Sequence, residues 1–302
     1  MLPETLARWH RRPPGDALPN SDDGEHRRFR QALWRHLAEG CPARPIQPIG
    51  EVVQLQLERD LAPLATDPRR VALKIKPAHG IAAEGGASVA AQRDPQLTLA
   101  AAAPLPAGLY LLHIGLRTTP GTGPPQLFHR ADEPFTESES LRLEPNASGR
   151  YTLLLNLRRP HAALRLDPMD EAGRAELGEP LLLRLGEALE GLRRHNVTAR
   201  LPDFLCIGAQ RAGTTWLHAA LSARGDVWLP PVKELHHFDD ARDPARWQSF
   251  RAEAALSQLL KGADAARAAW LVDFALGGPP SDGWYSRMFD AAPAGVPAGE
   301  IT

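Results

Sequence analysis

Between residues 52 and 185 apolar side chains return at every second position, in one stretch after another, and at Pro202 that rhythm stops. Val53, Leu55 and Leu57 alternate with Gln54 and Gln56. Val71, Leu73 and Ile75 alternate with Lys74 and Lys76, and Tyr151, Leu153, Leu155 and Leu157 repeat the pattern. A period of two puts apolar groups on one face of an extended chain, so these stretches are predicted to be half-buried strands. Leu97 with Leu99, residues 109–116, Leu141 with Leu143, and residues 181–185 extend the series. Pro104, Pro106, Gly108, residues 120–125 and Asn146 supply the turns between them. About seven or eight short strands with such punctuation and few helices predict a β-sandwich. His113, His129 and His161 are scattered through it and are read as structural or surface residues.

The flanks read differently. Residues 22–40 carry Phe29, Leu33, Trp34 and Leu37 at helical spacing, closed by Gly40 and followed by prolines at 42, 45 and 48. Residues 1–48 are therefore expected to be a helix and linker, 49–186 the sandwich, 187–201 a connector, and 202–302 a separate domain. The 35 basic side chains nearly balance the 36 acidic ones, so no net field draws in nucleic acid or an anionic membrane. Cys41 and Cys206 are the two cysteines, too few for a disulfide framework, and they fit a reducing, cytoplasmic compartment. The start has no secretory signature and no membrane-length apolar run occurs, so the sequons at Asn146 and Asn196 are read as chance. The preference for Arg over Lys fits a GC-rich bacterial coding sequence.

Chemistry gathers after Pro202. Phe204, Leu205, Cys206 and Ile207 form a continuous apolar run, as in a strand buried on both faces of a parallel sheet. Gly208, Ala209, Gln210, Arg211, Ala212 and Gly213 follow, and then Thr214, Thr215, Trp216 and Leu217 open a stretch of helical spacing. Strand, tight loop and helix turn backbone N–H groups and a helix dipole toward one point, which makes an anion site. Two glycines with four residues between them match a P-loop, but a nucleoside triphosphatase needs Lys after the second glycine, and Thr214 stands there. The cation, Arg211, lies inside the loop instead.

This segment resembles the 5′-phosphosulfate loop of sulfotransferases that use 3′-phosphoadenosine 5′-phosphosulfate (PAPS). Residues 230–239, with Lys233, Glu234, His236, Phe238 and Asp239, are similar to the Lys-Glu-x-His-Phe-Phe-Asp segment of the bacterial and heparan-type branch. Trp284-Tyr285 and the terminal Gly299-Glu300-Ile301-Thr302 are similar to two further blocks, in the same order. The resemblance implies a two-domain α+β chain: an N-terminal β-sandwich followed by an incomplete, P-loop-like α/β sulfotransferase domain.

It also implies a sulfuryl transfer from PAPS to a hydroxyl or amine of a glycan or small-molecule acceptor, without a metal. Arg211 takes the place of the family's catalytic Lys. Ala212, Gly213, Thr214 and Thr215 hold the phosphosulfate, and Trp216 lies near the adenine. Glu234 is the general base, and His236 is the second candidate for that role. His237 stands where the family has an aromatic. Arg for Lys is a departure, because Arg is a better fixed clamp and a poorer proton donor. The similarity stops inside its last block, so a weak or inactive enzyme with an associating sheet edge is expected. Two other readings stay open at this stage: a glycan- or partner-binding sandwich with a vestigial α/β segment, and a P-loop nucleotide enzyme of kinase type. Trp247, Phe250, Leu256, Leu259, Leu260, Trp270, Leu271 and Phe274 recur at helical spacing and are read as core.

Overall fold

The structure is a computed structural model and describes residues 52–302 apart from 58, 86–87, 130–136, 147, 190–199, 210, 239–243 and 277–281. The helix expected at 22–40, Cys41, Asn196, Gln210, Asp239 and most of the connector lie outside the described residues. The chain divides into two compact units, one containing residues 200–238 and 282–302 and the other residues 52–189 and 244–276.

The larger unit is built from antiparallel strands. They are β1 (Val52–Leu55), β2 (Arg70–Val71), β3 (Lys74–Gly85), β4 (Ser88–Ala100), β5 (Gly108–Thr118), β6 (Gln126–Phe128), β7 (Ser140–Arg142), β8 (Arg150–Leu157), β9 (Leu164–Asp167), β10 (Gly173–Leu177) and β11 (Leu181–Gly186). One layer runs β1-β8-β5-β11-β2. In the other, β3 lies along one edge of β4 while β10 and β9 share the opposite edge, and β9 continues to β6 and β7. Strand β5 belongs to both layers: its first part pairs with β8 and β11, its last residues with β10.

The apolar alternation explains the layering. Leu112, Leu153 and Leu155 of one layer and Leu97, Leu99, Leu127, Leu164 and Leu166 of the other share one buried cluster, each 2% exposed or less. Enclosing a leucine in this way stabilises the fold by roughly 1.5–3 kcal/mol per side chain. Strands β9 and β10, and the first half of β4, go beyond the stretches that the sequence periodicity marks. Small residues dilute the apolar alternation in β10 and the first half of β4, and β9 is only four residues long, so tertiary pairing decides the outcome.

Polar groups close the ends of the sandwich. Asn156 donates to the Leu189 carbonyl and accepts from the Leu189 N–H, both at 2.8 Å, in a buried setting. The Asn146 carboxamide is committed to the turn before β8, donating to Leu57 O at 2.8 Å and accepting from Arg150 N–H at 2.8 Å. His161 is 1% exposed and its two ring nitrogens lie 2.8 Å from the carbonyls of Arg159 and His129. His113 meets Thr152 Oγ1 at 2.8 Å.

Helices α1 (Thr214–Ser222), α2 (Pro244–Leu260), α3 (Ala265–Leu276) and α4 (Asp282–Arg287) follow. The sequence boundary at 202 assigns α2 and α3 to the C-terminal domain, whereas the compact units group them with the strands. The physical link is local to that unit: the Arg59 N–H donates to Glu253 at 3.2 Å, and the Arg59 guanidinium reaches Ser257 at 3.4 Å. Leu256, Leu259, Trp270, Leu271 and Phe274 are buried, as core residues at helical spacing should be, and Trp270 stacks on Phe274 at 5.3 Å. Phe250 remains 37% exposed. Among the described residues no helix is long and apolar enough to cross a membrane.

Candidate functional site

The smaller unit is organised by two short parallel strands, β12 (Phe204–Cys206) and β13 (Gly299–Ile301), in register Phe204 with Gly299 and Cys206 with Ile301. Gly299 makes room for its partner strand, because a Cβ at that position would stand 2.4 Å from the Phe204 ring and displace it. The opposite edge of β13 is lined by the segment from Trp228 onward. Trp228 bridges Ala298 in parallel fashion, Gly299 N–H donates to Trp228 O at 3.1 Å, and Glu234 N–H approaches Ile301 O at 3.4 Å. The base of the strands is clamped by Arg200, whose guanidinium donates to the carbonyls of Ala292 and Pro293 at 3.0 and 3.1 Å.

Beyond Cys206 the chain makes the expected loop and enters α1. Gly208, Arg211 and Gly213 have positive φ, 125°, 61° and 84°. Gly213 is the residue before the first helical turn, in the left-handed region that glycine adopts without penalty. Among the described residues no side chain caps the helix there, and the first-turn N–H groups of Thr214, Thr215 and Trp216 have no intrahelical acceptor. Arg211, Ala212, Gly213, Thr215 and Trp216 are exposed, and Trp216 is 74% exposed. An open anion cradle with a cationic fork beside it is the chemistry this geometry offers.

Glu234 lies at the same end of the strands. Thr302 N–H donates to Cys206 O at 2.9 Å where the loop begins, while Glu234 follows the neighbouring strand to its last residue. Because β12 and β13 are parallel, the loop and Glu234 both stand at the carboxyl ends of the pair. His218 of α1 lies 3.3 Å from Pro230 O and moors the helix to the start of the Glu234 segment. The Glu234 carboxylate is paired with Lys233, and His236 Nε2 stands 3.5 Å from its other oxygen. His237 instead lies flat on Tyr285, ring centres 4.4 Å apart and planes 13° from parallel.

The residue that sequence reasoning passed over is Glu300. It is 3% exposed, accepts from Leu235 N–H at 2.8 Å and accepts from Tyr285 O–H at 2.7 Å. Burial pushes its carboxyl above the ordinary 4.5, against the lowering by the Tyr285 and Leu235 hydrogen bonds and by His237 and His236. Burial and the Glu300 charge push the Tyr285 hydroxyl well above its usual value. A carboxyl raised on folding contributes stability that is full below the unfolded value and is lost as pH rises through the folded one. Glu300→Gln is neutral throughout, so it should gain stability relative to the parent as pH rises from 4.5 toward neutrality. Urea denaturation of both proteins across that range checks this, and parallel curves would speak against it. The sequence shows an acidic residue between Gly299 and Ile301 but not its partners Leu235 and Tyr285, so its role could not be read there.

No family model matches the chain, and no curated protein matches it. Several solved structures are similar to it at low scores. A mutant of the CBM29-2 family 29 carbohydrate-binding module is 11% identical, covering 45% of this chain and 93% of its own, with a TM-score of 0.26. The low-affinity xylan-binding module CBM86 of Roseburia intestinalis is 9% identical over 37% of this chain and 94% of its own, with a TM-score of 0.25. The C-terminal CBM6 of LamC from Zobellia galactanivorans is 14% identical over 44% and 99%, with a TM-score of 0.25. Scores of this size assign neither a family nor a ligand.

Proposed function

We propose that the smaller unit binds PAPS and transfers its sulfuryl group to an acceptor hydroxyl or amine, with a glycan as the acceptor class. One observation carries the reading: the loop–helix junction at Gly213 and the main chain of Glu234 stand at the carboxyl ends of two adjacent parallel strands. In the proposed step an acceptor O–H oxygen forms a bond to sulfur as the bond from sulfur to the 5′-phosphate oxygen breaks. The acceptor proton passes to Glu234, and adenosine 3′,5′-bisphosphate leaves. Charge grows on the departing phosphate oxygen, where Arg211 and the N–H groups of Thr214 and Thr215 stabilise it. Thr214 in place of Lys argues against a Mg²⁺-dependent triphosphate, and the exposed Trp216 ring offers a stacking face for a purine. The test is release of bisphosphate from PAPS by the full chain, with water or a glycan panel as acceptor. Release that depends on Arg211 supports the reading, and ATP turnover would replace it.

A second reading rests on the sandwich, not on the low-scoring likeness to carbohydrate-binding modules. Opposite the core leucines, Lys76, Thr98, Arg165, Phe128 and Ser140 form one cross-strand row on β3, β4, β9, β6 and β7. Arg165 lies over the Phe128 ring at 4.4 Å and grips Asp167 through Nε at 2.7 Å. Phe128 itself is buried, and the held Arg165 together with exposed Lys76 and the half-buried Thr98 and Ser140 offers hydrogen-bonding groups that suit the hydroxyls of a saccharide. In that reading the sandwich is a glycan-binding module. Arg165→Ala should then weaken glycan binding about tenfold or more, the worth of a charge-assisted hydrogen bond, as measured by titration against a glycan panel. Binding that survives unchanged would remove this face from consideration.

A further inference from the structure

We infer that Glu300 is a positioning residue: from inside the β12–β13 unit it fixes the backbone that carries Glu234. The inference rests on the reading of Glu234 as the base, and it deepens that reading.

The backbone around Glu234 does not hold its shape by preference. Glu234 has φ 63° and His236 has φ 53°, both in the left-handed region, and Leu235 sits between them. A residue held there is strained and persists only where the surroundings over-determine it. Two anchors reach Leu235 itself. Its side chain is fully enclosed, and its N–H ends on Glu300 Oε1 at 2.8 Å. The flanking bond, Glu234 N–H to Ile301 O, is long at 3.4 Å.

Glu300 also holds the far side of the segment. Its second oxygen accepts from Tyr285 O–H at 2.7 Å, and the Tyr285 ring carries His237 at 4.4 Å and Phe238 at 5.3 Å. One buried carboxylate therefore ties a main-chain N–H immediately after Glu234 to the aromatic platform under His237 and Phe238. Glu300 is itself a β13 residue, paired with Leu205 of β12. The same strand that sets the loop end of the site thus sets the direction of the Glu234 backbone.

Glu300→Gln keeps an acceptor for Leu235 and can donate to the Tyr285 oxygen, whereas Glu300→Ala loses both bonds. The full chain, Glu300→Ala, Glu300→Gln, Tyr285→Phe and Glu234→Gln are compared by amide hydrogen exchange at Leu235, by adenosine 3′,5′-bisphosphate affinity, and by bisphosphate release from PAPS with water as acceptor. Loss of a hydrogen bond to a charged group corresponds to roughly 10- to 150-fold. Glu300→Ala should lower Leu235 protection by at least tenfold and slow release to a similar degree, with bisphosphate affinity retained. Glu300→Gln should restore both. If Glu300→Ala does not fold, Tyr285→Phe and Glu300→Gln carry the comparison, with an intermediate loss expected in the first and rescue in the second. Unchanged Leu235 protection in every folded Glu300 and Tyr285 variant would overturn the inference. So would release unaffected by Glu300→Ala while Glu234→Gln abolishes it. A Glu234→Gln variant that releases bisphosphate at the parent rate, with Leu235 protection still dependent on Glu300, would instead sink the reading of Glu234 as the base.

Discussion

Replacing Glu234 by Gln is expected to lower sulfuryl transfer by about 10²- to 10⁴-fold, the usual worth of a positioned general base, and to leave bisphosphate affinity unchanged. The substitution keeps the shape of the side chain and removes its charge and its capacity to take a proton. It also breaks the pairing with Lys233 and the 3.5 Å approach of His236. That pairing is partly exposed and worth little to stability, so the folded unit should survive. If His236 were the base, Glu234→Gln would leave most of the rate and His236→Gln would remove it. Rates of bisphosphate release at several pH values distinguish the two, because the limb that reports the base disappears with the residue that carries it.

The second large effect concerns Arg211. Its side chain stands exposed beside the loop with the residue at φ 61°. Arg211→Ala removes a charge-assisted fork from the anion site, and adenosine 3′,5′-bisphosphate affinity should fall by roughly 10- to 150-fold. Arg211→Lys keeps the charge and loses the planar fork, so it should recover part of the affinity. Equal affinity in all three proteins would mean that the loop does not hold the phosphate.

The sequence made some parts of this arrangement legible and left others hidden, for physical reasons. Strands β5, β8 and β11 announce themselves as apolar runs bounded by turn residues. They are buried on both faces, with Leu111, Leu154 and Leu183 as enclosed as Leu112, Leu153 and Leu182, which corrects the expectation of half-buried strands from period two. Strand β10, Gly173–Leu177, carries Arg174 and Glu176 around one alanine and gains its place by pairing with β4 and β5. The strand–loop–helix from Phe204 to Ser222 was readable because glycines at 208 and 213 mark where the chain must turn. Placing α2 and α3 was not readable: apolar spacing says that a helix buries a face, and it does not say against what. Glu300 was hidden for the same reason. Its role depends on a hydrogen bond to Leu235, 65 residues away in sequence, and nothing local encodes that partner.

The central claim is that the junction at Gly213 is a site for an adenosine bisphosphate and its sulfuryl group. Calorimetric titration of the full chain with adenosine 3′,5′-bisphosphate, alongside ATP with Mg²⁺, tests it most directly. The account predicts saturable binding of the bisphosphate that is weakened about tenfold or more in Arg211→Ala, with ATP and Mg²⁺ no better a ligand. Tighter binding of ATP with Mg²⁺, or bisphosphate binding indifferent to Arg211, would contradict it.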